Sequence, residues 1–364
     1  MGDLFDFWHE LATRNHDLWM KSYFEDELEV PVYFTKKYYE ISGKNFLLAH
    51  GDGLGPGDKG YKRMKKLFTN PVAQWFFKWL HPIIAMRKFT DYLNIKPEEI
   101  TQVKDIPFLP IEMFKNHTVI DQNKEPQFYF QSSGTTQMNL SKHWICDAGL
   151  YEESLYKSFE QFIGKPEDFV FLGLLPNYLE RQNSSLVYMV DYLMKVSNQP
   201  ENGYFLYNHE DLLKQIQHLE KEQKKYIVFG VSFALLDFLD SLQQLSVTNF
   251  KIPNGIVIET GGMKGRKEEI TKDQLLQELQ TGFGTEKIYS EYSMTELLSQ
   301  AYSKGNNEYE TPNWMRILIR NTEDPFSYVD EGRTGAINII DLANKHSCAF
   351  IATQDLGRFD IEPW

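Results

Sequence analysis

From about residue 169 onward, short continuous apolar runs take turns with segments whose apolar positions recur every three or four residues. The first pattern marks a strand buried on both faces, and the second an amphipathic helix. Strands are expected at 169–175, 204–207, 226–232, 255–259 and 287–292. Helices are expected at 185–195, 209–224, 271–281 and from 232 to about 244. Strand and helix in alternation imply an α/β fold whose mainly parallel sheet is covered by helices. Past residue 313 the pattern changes to strands alone, at 314–320, 336–341 and 349–353, which implies a small antiparallel β subdomain. The predicted division is an α/β core over 1–312, with a helical amino-terminal region, and a terminal β subdomain over 313–364.

The first third reads differently. Residues 3–28 suit a packing helix capped by Asp3. Residues 51–57 are glycine-rich and read as a mobile lid or insertion, with a second phosphate cradle as the alternative. Residues 61–95 are aromatic and basic by turns, as in a core helix with a solvated face or a surface for acyl chains, membrane or a docking partner. Two prolines make 107–115 a stiff apolar connector. Asp147 is a candidate cap for a helix running to about 163.

The chemistry gathers after the aromatic strand Phe128-Tyr129-Phe130, at Gln131-Ser132-Ser133-Gly134-Thr135-Thr136. Hydroxyls donate to phosphate oxygens, and a glycine lets backbone N–H groups approach them. A polar surface turn is the plain alternative. Three further segments are placed by the pattern at strand ends, where open α/β sheets bind ligands. Gly261 and Gly262, followed by Lys264 and Arg266, permit close approach to a flat ring or phosphate. Tyr292, Thr295 and Glu296 bring a carboxylate that can hold Mg²⁺ beside a polyphosphate, or simply begin a helix. Asp355, with Arg358 after it, is suited to accept hydrogen bonds from both ribose hydroxyls, or to form a turn. His143, just past the first loop, is either a contact for a substrate carboxylate or acceptor, or a polar surface histidine.

Composition narrows the classes. A chain of 364 residues, 42% hydrophobic and 15% aromatic, can bury a large core. A net charge of −13 disfavours nucleic acid as a partner. No apolar run reaches membrane-spanning length and no signal peptide is apparent, so a soluble cytoplasmic protein is expected. Two cysteines, Cys146 and Cys348, cannot build a disulfide framework. Cys348 is read as lying in an apolar strand beside His346, which two positions away would share its face, so it is either an activated acyl acceptor or an inert core residue.

In their order, the Ser/Thr-rich loop, the Gly261-Gly262 pair, Tyr292-x-x-Thr295-Glu296 and Thr353-Gln354-Asp355 resemble the motifs of the adenylate-forming, acyl-CoA synthetase-like superfamily. Gln137 and Gln354 stand where that family has glycine, and Lys142 arrives late. Residues 107–115, 175–181 and 184–189 resemble the LuxE acyl-protein synthetase branch, which activates fatty acids for a reductase. The resemblance implies the large domain of such ligases without their mobile C-terminal domain. It implies ATP and Mg²⁺ as cofactors, with Ser132, Ser133, Gly134, Thr135 and Thr136 on the phosphates and Gly261 and Gly262 at adenine. Thr295 and Tyr292 would face the nucleotide, Glu296 would hold the metal, and Asp355 with Arg358 the ribose. The implied reaction activates a carboxylic, fatty acid as acyl-AMP and passes it to a thiol on a carrier protein, on CoA or on a cysteine of this chain. Two alternatives stand beside it: a nucleotide-binding scaffold serving an acyl reductase partner, and acyl transfer to a phosphopantetheine carrier.

Overall fold

The computed structural model describes residues 37–41, 44–48, 100–121, 123–133, 140–175, 183–261, 270–324 and 327–359. The expectations for 3–28, 51–57 and 61–95 lie outside these residues, as do Gly134, Thr135, Thr136 and Gly262. The chain parts into two compact units, 1–99 and 100–364. In the first, β1 (Lys37–Ile41) and β2 (Lys44–Leu48) form an antiparallel hairpin.

The second unit opens with β3 (Leu109–Pro110) and the short helix α1 (Met113–Asn116). The antiparallel pair β4 (Phe128–Gln131) and β5 (Lys142–Ile145) flanks the Ser/Thr-rich loop. Then come α2 (Ala148–Phe162), β6 (Val170–Leu174), α3 (Ser185–Ser197), β7 (Gly203–Tyr204), α4 (His209–Lys221), β8 (Tyr226–Val231) and α5 (Ser232–Gln244). They are followed by β9 (Gly255–Thr260), α6 (Lys272–Phe283), β10 (Ile288–Tyr292), β11 (Ala301–Ser303) and β12 (Tyr309–Glu310). The chain closes through β13 (Met315–Arg320), β14 (Gly335–Asp341) and β15 (Phe350–Gly357).

Seven strands form one sheet in the order β12-β11-β10-β9-β8-β6-β7. The five from β10 to β7 are parallel, and β11 and β12 add an antiparallel edge. Every residue of β6 and β8 is buried, which explains their unbroken apolar sequences. Local chemistry fixes the helix ends. Asp147 Oδ1 accepts the Leu150 N–H at 3.0 Å at the start of α2, and Thr271 with Gln274 forms a capping box at α6. Helix α6 ends on Gly284 at φ +60°, where an added Cβ would stand 2.7 Å from the Phe250 carbonyl.

The terminal β-strands form a second sheet, β13-β14-β15-β3. It is antiparallel except for its last pair, β15 with β3, so the connector 107–115 contributes a strand to it. The last strand is longer than its apolar stretch. Between the pairs Ala336–Leu356 and Asn338–Ala352, β14 advances two positions and β15 four. The two surplus residues force a bulge that lifts Gln354 and Asp355 out of the ladder.

Candidate functional site

Ser132 closes the neck of the Ser/Thr-rich loop. Its N–H donates to the Ser141 carbonyl at 3.1 Å, and its Oγ accepts the Ser141 N–H at 3.0 Å. Ser133 lies beside it, exposed. Lys142 directs its ammonium over the Tyr129 ring at 5.4 Å.

Ser141 also hydrogen-bonds the Glu296 carboxylate, joining this neck to the turn after β10. Glu296 is buried, at 5% exposure. Burial pushes its pKa up, while Ser141 and the charge of Lys115 on α1 pull it down and Asp355 pushes it up. No helix begins at Thr295-Glu296: the segment is a turn, held through its backbone. The Asn344 amide donates to the Glu296 carbonyl at 2.7 Å, and His143 Nδ1 donates to the Thr295 carbonyl at 2.9 Å. Asp341 then receives the N–H groups of Leu298 at 2.8 Å and Ser299 at 3.1 Å, and the Ser299 hydroxyl at 2.6 Å.

His143 is neither a surface residue nor open to a substrate. It is 1% exposed, packs edge-on against Phe114 at 5.5 Å, and has both ring nitrogens engaged, Nε2 with Ser347 Oγ at 2.9 Å. Strand β5 turns it inward, in alternation with exposed Lys142 and half-buried Trp144. Burial lowers its pKa to about 4, so the ring is neutral and the proton sits on Nδ1, facing a carbonyl that can only accept.

Tyr292 and Asp355 meet across the two sheets. The Tyr292 hydroxyl donates to Asp355 Oδ2 at 2.7 Å, and its ring lies edge-on to Tyr309 at 6.1 Å. Burial, then the Asp355 charge, hold the Tyr292 phenol well above its usual range. The Asp355 N–H donates to Thr353 Oγ1 at 3.1 Å, and Gln354 reaches Glu112 with its amide. Asp355 thus rides on a bulge inside β15 rather than in a loop after the strand, since two surplus residues leave it outside the ladder. Arg358 follows the strand's end and is exposed. The parallel register, with Glu291 opposite Thr260, sets Gly261 level with Tyr292. At φ +71°, Gly261 holds a left-handed turn that a side chain would oppose.

Cys348 is not in the strand. It precedes β15 in a turn, so the two-residue spacing to His346 gives no shared strand face. Its Sγ meets the Phe350 carbonyl at 3.3 Å, and burial pushes its thiol up. Cys146 is also pushed up, by burial and then by Asp121. For both thiols burial is the largest cause and opposes ionisation.

Ser141, Asn344 and Asp341 carry no motif and were not anticipated, and Lys115 was marked only as the end of the segment 107–115. Only the spatial fold brings them to residues 295–299. Among the described residues no helix is long and apolar enough to cross a membrane.

Comparison with known proteins gives two results. The fold resembles 2-hydroxyisobutyryl-CoA ligase, described in an open conformation with 2-HIB-AMP and CoA (TM-score 0.55, 11% identity, covering 74% of this chain and 64% of that one). The same ligase in a postadenylation state gives TM-score 0.55 over 74% of this chain and 58% of that one. A looser likeness joins it to ATP-bound MatB from Rhodopseudomonas palustris (TM-score 0.47, 13% identity, covering 64% of this chain and 45% of that one). The mixed α/β architecture, with its parallel and antiparallel sheets, is similar to that of the 2-hydroxyisobutyryl-CoA ligase. By sequence, a part is similar to a UDP-2,3-diacylglucosamine hydrolase of Porphyromonas gingivalis, 34% identical over 110 residues that make up 22% of this chain and 42% of that protein. A second such hydrolase, from Photorhabdus laumondii, is 23% identical over 183 residues, 43% of this chain and 73% of that protein. The chain thus spans less than half the length of the first of these relatives. No known family profile matches it.

Proposed function

We propose that the chain activates a carboxylic acid with ATP, forming acyl-adenylate and pyrophosphate, and passes the acyl group to a thiol. The carrying observation is the junction of Glu296, Ser141 and the neck of the Ser/Thr-rich loop, beside the Tyr292–Asp355 bond, on a fold shared with a CoA ligase. Ser132, Ser133, Gly134, Thr135 and Thr136 would cradle the phosphates, and Gly261 and Gly262 would flank adenine. Asp355 would take the ribose, with Arg358 close by. Thr295 would face the nucleotide.

The carboxylate of Glu296 suits Mg²⁺, a hard cation that takes one or two protein carboxylates and completes its shell with substrate phosphates and water. When bound, the metal neutralises charge on the phosphoryl oxygens. Glu296 is held for this by Ser141 on its side chain and Asn344 on its backbone. The half-reaction needs no protein nucleophile: placement and charge stabilisation carry it. His143 is a positioning residue that fixes the Thr295 carbonyl. Burial opposes ionisation of Cys146 and Cys348, which favours an acceptor thiol on CoA or a carrier protein, and a long-chain acid of the LuxE kind is the favoured substrate.

The test is carboxylate-dependent ATP–pyrophosphate exchange, run from acetate to long-chain and aryl acids. Exchange with one acid class, lost at least a hundredfold in Glu296→Ala, is expected. Its absence with every acid, while ATP still binds, would sink the enzymatic reading. A second reading follows from sequence similarity alone: part of the chain is related to UDP-2,3-diacylglucosamine hydrolases. Hydrolysis of that compound by the full chain would support it, and inertness would refute it.

A further inference from the structure

One hydroxyl stands between the two side chains that hold the Thr295–Glu296 turn. After Asp341 the chain makes one tight helical turn, Leu342–Asn344, and the Ser347 N–H closes back onto the Asn344 carbonyl at 3.3 Å. Asn344 is buried at 1% exposure, and Ser347 is half-buried. Asn344 Nδ2 donates to the Glu296 carbonyl at 2.7 Å, and His143 Nδ1 donates to the Thr295 carbonyl at 2.9 Å. The other polar atom of each side chain meets the same partner. His143 Nε2 lies 2.9 Å from Ser347 Oγ, and Ser347 Oγ lies 2.6 Å from Asn344 Oδ1. The protons at these contacts can be counted. With its amide nitrogen on the Glu296 carbonyl, Asn344 presents only an acceptor to Ser347. The neutral His143 ring, with its one proton on Nδ1, also presents only an acceptor there. Reversing the amide, or moving the ring proton to Nε2, would set two acceptors face to face at a backbone carbonyl. A serine hydroxyl carries one proton, so two buried acceptors draw on a single donor.

We infer that Ser347 is a positioning residue for the Thr295–Glu296 turn, its one hydroxyl proton shared in competition between His143 and Asn344. The inference rests on the metal role proposed for Glu296. Each competitor holds one carbonyl of that turn, His143 that of Thr295 and Asn344 that of Glu296. Ser347 thus couples the two holds: a proton given to the ring is withdrawn from the amide, and the reverse. Without the hydroxyl both side chains keep an unpaired acceptor, and each is freer to turn away from its carbonyl. The side chain of Glu296 is then presented less often in the geometry a small, hard cation requires.

The test reads the ring and the reaction separately. Long-range proton–nitrogen NMR correlations of the full chain, isotope-labelled at its nine histidines, report which ring nitrogen carries the proton and how strongly the other accepts one. The His143 signals are those lost in His143→Gln. The native ring should be the neutral Nδ1–H form. In Ser347→Ala the Nε2 signal should move toward the position of an unbonded nitrogen. In Asn344→Ala, which leaves the whole proton to the ring, it should move the opposite way. Ser347→Thr keeps the hydroxyl and should stay near the native position. In ATP–pyrophosphate exchange, Ser347→Ala should raise the Mg²⁺ concentration for half-maximal rate about tenfold, and Ser347→Thr by less than about twofold. If Asn344→Ala does not fold, the contrast between Ser347→Ala and Ser347→Thr decides. Shifts in one direction in both alanine variants, an unmoved Nε2 signal in Ser347→Ala, or an unchanged Mg²⁺ requirement in Ser347→Ala would overturn the inference. Absence of exchange in the native chain would overturn the metal role of Glu296, and the ring signals alone would then decide whether the proton is shared.

Discussion

His143 and Glu291 are both fully buried and are pushed in opposite directions. Burial holds the His143 ring down to about 4, and it raises the Glu291 carboxyl to about 7 despite hydrogen bonds from Ser293 and Thr260. Thr260 Oγ1 donates to Glu291 Oε2 at 2.5 Å, whereas Oε1 has no hydrogen-bond partner among the described residues. For His143 the unfolded chain binds the extra proton, so stability falls as pH drops from about 6.5 toward 4. For Glu291 the folded chain binds it, so stability falls as pH rises from about 4.5 toward 7. Each slope is about 1.4 kcal/mol per pH unit, and across the shared window they cancel. Denaturant unfolding of Glu291→Gln between pH 4.5 and 6.5 should show stability rising more with pH than in the native protein, because one opposing slope is removed. His143→Asn should show the reverse change, whatever it costs in absolute stability. Profiles unchanged in both variants would contradict this pairing. On the proposed metal role of Glu296, its raised pKa predicts that exchange activity should fall on acidification earlier than for an exposed glutamate, because only the ionised carboxylate holds a metal.

At the scale of elements, the strands that were easiest to anticipate were those buried on both faces. β6 and β8 are continuous apolar segments, β9 is apolar up to Glu259, and the neighbouring helices show clear stripes and caps. The edge strands β11 and β12 were not anticipated, because Ala301-Tyr302-Ser303 and Tyr309-Glu310 are too short to show a period. The motif residues of the site were legible locally, since hydroxyls, glycines and a strand-end acid have a chemistry of their own. Their supports were not. Ser141, Asn344 and Asp341 act through contacts between residues up to 155 positions apart in the chain, such as Ser141 with Glu296, and no local pattern encodes them. Asp355 was legible as a residue but not as part of a bulge, which depends on the register of β14. Gly284 tests an element end. Gly284→Ala places a side chain in left-handed backbone against the Phe250 carbonyl and should lower the unfolding free energy by about 1–2 kcal/mol or more, seen as a reduced denaturant midpoint with nucleotide binding retained.

Over the whole molecule, the described candidate site belongs to the unit of residues 100–364, and each unit makes its own contacts. A fragment of residues 100–364 should therefore fold cooperatively and bind ATP with the affinity of the full chain. An unfolded or non-binding fragment would show that residues 1–99 complete the site. The sequence relatives cover a minor share of the chain and the ligase-like fold covers most of it, so fold and sequence similarity do not carry the same information here.

The bulge in β15 has a consequence for how this protein could change over time. A recognition residue in a loop can drift through many lengths and shapes, whereas Asp355 depends on a count of two residues against β14. Removing Gln354 and Asp355 together restores a regular ladder. The shortened protein should melt no lower than the original and, on the proposed reading of Asp355, bind ATP about tenfold or more weakly. Gain and loss of the exposed Asp355 bulge are thus a matter of strand arithmetic, reversible by one small insertion or deletion that leaves the buried core intact.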